Sequence, residues 1–302
     1  MINKFFNNSY LVLLIVFCLI LLSIPFQIKI DSERDKFKSI KNVVLLNPGT
    51  LRIMSLGFNE TVADIYWLRG LQYFWGQEFL SDRDEELTRK YFDIITELDP
   101  KFLNAYRYGA SFLGEPHPLG LGNIELGSEL YDKGRKNIPD NYRLPLEQGF
   151  MFFLNTNNFE KASELFSEAA QKPGLSDRRT ASIKGMAAAA ISKAGKRELS
   201  KQIWQEIYDT TQNEGRKNFA LLNLKELNTQ DLEDKLTNYA NQYEQVYGSF
   251  PESIDDLLDL KEVKKIPKDH EGQDFFIDHE TKSVKSPTLN KHLLSSKSTN
   301  SK

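Results

Sequence analysis

The sequence predicts a mainly α chain: an α-helical hairpin array over 61–247, an N-terminal transmembrane helix before it, and a small α+β module after it. Three observations predict this. Residues 10–26 (YLVLLIVFCLILLSIPF) are almost wholly apolar, with no charge between Lys4 and Lys29. From 61 to 247 apolar residues recur at helical spacing in stretches of about 12 to 20 residues, broken by Gly, Pro and Asn and without strand alternation. After Gly248-Ser249-Phe250-Pro251 the pattern changes to short runs with turn residues between them.

The first element, 1–28, reads as a membrane anchor, since 10–26 would make about 25 Å of helix, just enough to span. A cleaved signal peptide is the rival. It fits less well because Ser23-Ile24-Pro25-Phe26-Gln27 lacks a small-x-small site. Cys18 lies between Val16-Phe17 and further apolar residues, unlike a lipidation site. Lys29, Arg34, Lys36, Lys38 and Lys41 come after the run and only Lys4 precedes it, which favours a cytoplasmic body. Short N-terminal anchors often export the domain attached to them, so the side stays open. Residues 29–60 read as a connector, charged over 31–41 and then turning at Asn47-Pro48-Gly49.

The array carries a register in every second helix: Thr88, Phe92, Ile95, Pro100; Gly127, Tyr131, Gly134, Pro139; Ala162, Phe166, Ala169, Pro173; Ser200, Trp204, Ile207. Each set begins with a small side chain, which lets the second helix of a hairpin approach the first. An aromatic residue one turn on fills the groove, and Pro stops the helix. The aromatics lie 39, 35 and 38 residues apart. Ser81, Asn158 and Ser176 are expected N-caps, and Gly195 a helix end. An irregular bundle with these aromatics as ordinary core is the alternative.

This register resembles the tetratricopeptide repeat, whose period is about 34 residues. Asn158-Phe159-Glu160-Lys161-Ala162 through Phe166 and Ala169 to Pro173 carries it best, and Leu98-Asp99-Pro100 closes a helix in the same way. Leu56-Gly57-Phe58-Asn59-Glu60-Thr61 and 63–68 are similar to the start of the array in membrane-anchored bacterial repeat proteins. The resemblance implies a curved array whose first helices line a concave face for protein partners. Trp67, Arg69, Asn104, Arg107, Tyr108, Arg143 and Glu147 are the partner-binding candidates on it. The terminal-carboxylate clamp of chaperone cofactors is not expected, because Trp67 and Leu71 stand where its Lys and Asn would be. The resemblance also implies a single-pass protein of the bacterial inner membrane that serves as adaptor or scaffold.

Two segments interrupt or extend the array. Gly114 to Asn123 (GEPHPLGLGN) reads as a flexible spacer, with His117 a less favoured ligand. After helices expected at 214–227 and 230–246, the module 248–286 is expected to hold a short helix at 253–260 and strands at 274–277 and 283–285. Tyr247-Gly248, Pro251, Leu257-Leu258, Ile266-Pro267, Asp269, Gly272, Phe276 and Ser286 resemble the C-terminal end of type II secretion pseudopilins, although His270 stands after Asp269 where Pro is usual. That resemblance implies an accessory role in a pilus or secretion assembly. Residues 287–302, rich in Ser and Lys, read as a disordered tail.

Composition narrows the function. The 302 residues carry 39 Lys plus Arg against 42 Asp plus Glu, a net charge of −3, so a nucleic-acid partner is not expected. One cysteine excludes an intrachain disulfide and a Cys-based zinc site. Asp269-His270-Glu271 and Asp278-His279-Glu280 could gather around a divalent metal, which keeps a metal-dependent hydrolase as the rival class. The chain lacks a Gly-rich phosphate loop, H-E-x-x-H and G-x-S-x-G. The leading expectation is therefore a non-enzymatic adaptor with no cofactor, no resident metal and no small-molecule substrate.

Overall fold

The computed structural model describes residues 17, 21, 23–25, 27–29, 45–76 and 85–291. The chain forms two compact units, 1–54 and 55–302. In the first, the described residues between 17 and 29 are helical; most of the expected span 10–26 lies outside the described residues. Among the described residues no helix is long and apolar enough to cross a membrane. The turn expected at Asn47-Pro48-Gly49 starts a helix instead, α1 (Pro48–Met54). Proline suits the first helical position because its missing N–H would have no intrahelical partner there. The Asn47 side chain accepts the Gly49 N–H at 2.8 Å, and its carbonyl accepts the Leu51 N–H at 3.0 Å.

The second unit is mainly helical: α2 (Asn59–Gly76), α3 (Glu85–Leu98), α4 (Leu103–Gly114), α5 (Ile124–Asn137), α6 (Arg143–Asn155), α7 (Phe159–Ala170), α8 (Asp177–Lys193), α9 (Arg197–Thr210) and α10 (Glu214–Tyr247). Each helix packs on the next, and α4 also touches α6. The result is a succession of antiparallel hairpins, α2–α3, α4–α5, α6–α7 and α8–α9, closed by α10. Every residue of the predicted register on the second helices is buried: Thr88, Phe92 and Ile95; Gly127, Tyr131 and Gly134; Ala162, Phe166 and Ala169; Ser200, Trp204 and Ile207.

The small residues act as predicted. A Cβ on Gly127 would lie 2.6 Å from the Ala110 carbonyl oxygen and 2.9 Å from Gly114 Cα, so α4 and α5 meet backbone to backbone. A second series on the first helices, absent from the predicted register, complements the aromatics. Gly109 would meet Phe92 at 2.6 Å, Gly149 would meet Phe166 at 2.7 Å and Gly185 would meet Trp204 at 3.0 Å. Asn158 and Ser176 cap α7 and α8 as expected, and Asn123 and Asn213 do the same for α5 and α10. The Ser81 cap lies outside the described residues.

Ion pairs join second helices of successive hairpins and tie the last of them to α10. Lys133 on α5 pairs with Glu97 on α3 at 2.9 Å, and Arg135 on α5 with Glu168 on α7. Arg197 and Lys201 on α9 both pair with Asp231 on α10. Arg135 also donates to the Gln148 Oε1 of α6 at 3.0 Å, which satisfies an almost fully buried amide.

Further expectations need correction. Instead of two helices at 214–227 and 230–246 there is one, because Thr229 bonds back to the Lys225 carbonyl at 3.0 Å and is buried, so nothing interrupts the helix. The 114–123 spacer is folded: Leu121, Gly122 and Asn123 donate N–H groups to the carbonyls of Phe112, Glu115 and Leu113. The first strand is shifted, since β1 (Phe276–Asp278) pairs antiparallel with β2 (Ser283–Lys285) and Ile277 faces Val284. Finally, residues 287–291 are not part of a loose tail. Thr288 Oγ1 donates to Asp269 at 2.6 Å and Asn290 Nδ2 to Glu233 at 2.8 Å.

The C-terminal module shares its core with the second half of α10. Leu236 and Ala240 pack with Leu257, Val263, Phe275, Ile277 and Val284. The expected short helix is a 3-10 turn, Ile254–Asp259. The Val284 N–H donates to Thr237 Oγ1 at 2.9 Å and the Ser286 N–H to Glu233 at 2.7 Å, so α10 satisfies backbone donors at and just beyond β2.

Candidate protein-binding face

The register buries one side of the second helices and leaves the first helices to present side chains outward. Four of the seven candidates come together across three successive first helices. Trp67 of α2 lies 6.2 Å, centroid to centroid, from Tyr108 of α4. It is propped from below by Phe92 at 6.4 Å and Phe102 at 5.4 Å. The Arg107 guanidinium stands 5.7 Å from the Tyr108 ring centroid and reaches Glu147 of α6 with Nε at 2.8 and 2.9 Å from the two carboxylate oxygens. Nη2 closes the fork on Oε1. The pair is partly shielded, with side-chain exposures of 20% and 27%. The Glu147 hydrogen bonds raise the Arg107 pKa above its ordinary value despite partial desolvation. Behind it, burial first and the Glu147 charge second push the Tyr131 phenol well up, so it stays neutral.

The chemistry of this strip is mixed. Trp67 and Tyr108 offer aromatic faces, Tyr108 being 56% exposed, while Arg107 and Glu147 already satisfy one another and so serve as a fixed dipole rather than as free charges. Arg69 lies apart, its charge acting on the Tyr91 phenol of α3, where burial is the larger influence. Asn104 and Arg143 are exposed at the starts of α4 and α6, and the Arg143 N–H is taken by Asn141 Oδ1 at 2.9 Å.

A cavity between α3, α4 and α5 was not legible from sequence. This cavity of about 170 Å³ has Leu113, Leu126 and Leu130 in its floor and Arg89, Asp93, Glu129 and Lys133 at its rim.

The two D-H-E tripeptides do not converge. Asp269 is buried, its carboxylate accepting from Ser286 Oγ at 2.8 Å, Thr288 Oγ1 at 2.6 Å and the N–H groups of Glu271 and Gln273 at 3.0 and 2.8 Å. Burial alone would raise its pKa, but these four donors outweigh that and lower it to about 2. His270 Nδ1 is 2.9 Å from Thr229 Oγ1, Asp278 accepts from Thr281 Oγ1 at 2.6 Å, and His279 is exposed. Among the described residues no group of three or more His, Cys, Asp or Glu is placed to hold a metal ion.

No protein-family model matches the chain, and no curated protein matches it. No match supports the pseudopilin likeness of the C-terminal module. Among solved structures the chain is similar to PilF of Pseudomonas aeruginosa, at 16% identity, covering 64% of this chain and 79% of that one with a TM-score of 0.36. An overlap of that extent leaves the hairpin architecture to rest on this chain's own packing.

Proposed function

We propose that the chain is a tetratricopeptide-like adaptor, tethered to the bacterial inner membrane by 10–26, that holds an extended segment of a protein partner on the first-helix face of α2, α4 and α6. The observation that carries this reading is the continuous strip Trp67, Tyr108, Arg107, Glu147, which spans three hairpins and keeps an aromatic surface exposed. Exposed Tyr and Trp side chains are enriched among the residues that dominate binding energy, and a pre-formed ion pair beside them lowers the ordering cost of association. Asn104 and Arg143, exposed at the starts of α4 and α6, and Arg69 of α2 are further candidate contacts outside the strip. No step of this reading uses a catalytic group, a cofactor or a metal.

The test is site-specific photo-cross-linking of the full chain in native membranes, with the photoreactive side chain at Tyr108 in one preparation and at the exposed Asp209 of α9 in another. Defined adducts from position 108 that are absent from position 209, and that fall when Trp67→Ala is added, support the face. Identical adducts from both positions would show that the strip has no special role. Recovery of the chain from the soluble fraction, without detergent, would remove the tether.

A further inference from the structure

Hydrogen-bond donors of the strip stand unused. Among the described residues neither Trp67 Nε1 nor Tyr108 Oη has a hydrogen-bond partner, and Arg107 spends Nε and Nη2 on Glu147 while Nη1 has none. The backbone N–H and C=O groups of this stretch are consumed inside α2, α4 and α6. An indole and a guanidinium donate and do not accept. The strip therefore offers aromatic faces and an excess of donors, and it suits a partner with free acceptors and flat apolar surface.

The recurrent ways of holding a peptide differ in what they need. Adding a strand needs a sheet edge, but the strands among the described residues, β1 and β2, belong to the C-terminal module. Seating an amphipathic helix needs an apolar trough, whereas the middle of the strip is an ion pair, and a helix keeps its own carbonyls occupied. An acidic motif or a terminal carboxylate needs unspent cations, and Arg107 is neutralised by Glu147. Nor does the rim add a net sign: exposed Asp64 precedes Trp67 by one turn, and exposed Arg143 precedes Glu147 by one turn. A polyproline II chain meets what is left. It has no internal hydrogen bonds, so its carbonyls are free to accept, proline has no N–H to satisfy, and such chains dock on aromatic-lined surfaces. The spacing agrees, since the Trp67 and Tyr108 ring centroids are 6.2 Å apart and two residues of such a chain rise about 6 Å. Phe92 and Phe102 prop Trp67, which places it before a partner arrives.

We infer that the segment held by the strip is proline-rich and binds as a polyproline II helix, with its rings on Trp67 and Tyr108 and its carbonyls accepting from Trp67 Nε1, Tyr108 Oη and Arg107 Nη1. The inference deepens the adaptor function proposed above and rests on its binding face.

The experiment follows the anisotropy of fluorescein-labelled decaproline titrated with the full chain in mild detergent, with a Gly-Ser decapeptide and an amphipathic Leu-Lys helical peptide as the other probes. The expected result is saturable binding of decaproline alone, weakened at least about tenfold by Tyr108→Ala and several-fold by Tyr108→Phe, which keeps the ring and loses the hydroxyl, with Asp209→Ala unchanged. Tyr108 is exposed, so neither variant disturbs the core, and circular dichroism checks the fold. No saturable binding of decaproline, or equal binding to the wild type and Tyr108→Ala, would overturn the inference. So would binding of the helical or the Gly-Ser probe in its place. In the cross-linking test, adducts at position 108 that excess decaproline leaves intact would overturn the proline-rich class and leave the binding face standing. Identical adducts from 108 and 209 would remove face and class together.

Discussion

Gly127→Ala tests whether the hairpins are held by close backbone approach. In an exposed helix interior this change stabilises by about 1 kcal/mol, because Ala has the higher helix propensity. Here the new Cβ would sit 2.6 Å from the Ala110 carbonyl oxygen, 2.9 Å from Gly114 Cα and 3.0 Å from Gly114 N. Ordinary contact begins at 3.4 Å, so the shortfall at the carbonyl is 0.8 Å (3.4 − 2.6). All three neighbours are backbone, so no side chain can swing away, and α4 and α5 must separate along their contact. Overpacking of this kind costs about 3 kcal/mol, which leaves a net loss of about 2 kcal/mol once the propensity gain is set against it. In urea unfolding of the full chain in mild detergent, monitored by far-ultraviolet circular dichroism, this lowers the midpoint by about 1 M for a slope of about 2 kcal/mol/M. A midpoint that rises would refute the argument, because only propensity would then be acting.

Particular bonds give three further predictions. Arg107→Ala and Glu147→Ala should each destabilise, and a double-mutant cycle should give a coupling of about 1 kcal/mol, above the median for surface pairs because the fork is bidentate and only 20% and 27% exposed. Among the described residues Thr88 Oγ1 is buried without a hydrogen-bond partner, so Thr88→Val should be neutral or raise the urea midpoint, whereas Ser200→Ala at the equivalent position should lower the stability by about 1 kcal/mol, since Ser200 Oγ donates to the Ala188 carbonyl at 2.8 Å. The Asp269 pKa is lowered from 3.8 to about 2. A depressed carboxylate pKa contributes stability that is fully present above the unfolded value and is lost as pH falls through the folded one. Comparison of the wild type with Asp269→Asn by proteolysis of the C-terminal module should show a difference of about 2 kcal/mol at pH 6 that shrinks between about pH 4 and pH 2.

The limits of sequence reading show at the same elements. Second-helix positions were legible because a helix that must bury one stripe repeats it at fixed spacing, and the chain repeats the same set from Thr88 to Ile207. First-helix glycines were not, because a Gly reads as a helix breaker until the ring that fills its missing side chain, such as Phe166 over Gly149, is in place. The break expected between 227 and 230 fails because Thr229 is buried there, its hydroxyl held by the Lys225 carbonyl and by His270 of the module. Within the strip, Trp67, Arg107, Tyr108 and Glu147 could be chosen as outward residues of first helices, but that Arg107 is consumed by Glu147 is a long-range fact. Local spacing cannot supply it.

By itself the sequence determined the helical class, the hairpin register with its small and aromatic positions, the place where the array gives way to a strand pair, and the apolar run at 10–26. These arise from periodicity and from the backbone limits of Gly and Pro, which act within a few residues. Only the tertiary structure decided which outward side chains meet across α2, α4 and α6. It also decided that the D-H-E tripeptides are parted rather than gathered and that 287–291 is sewn to Asp269 and Glu233. Each depends on segments far apart in the chain approaching to bonding distance, or failing to, and no local pattern encodes that.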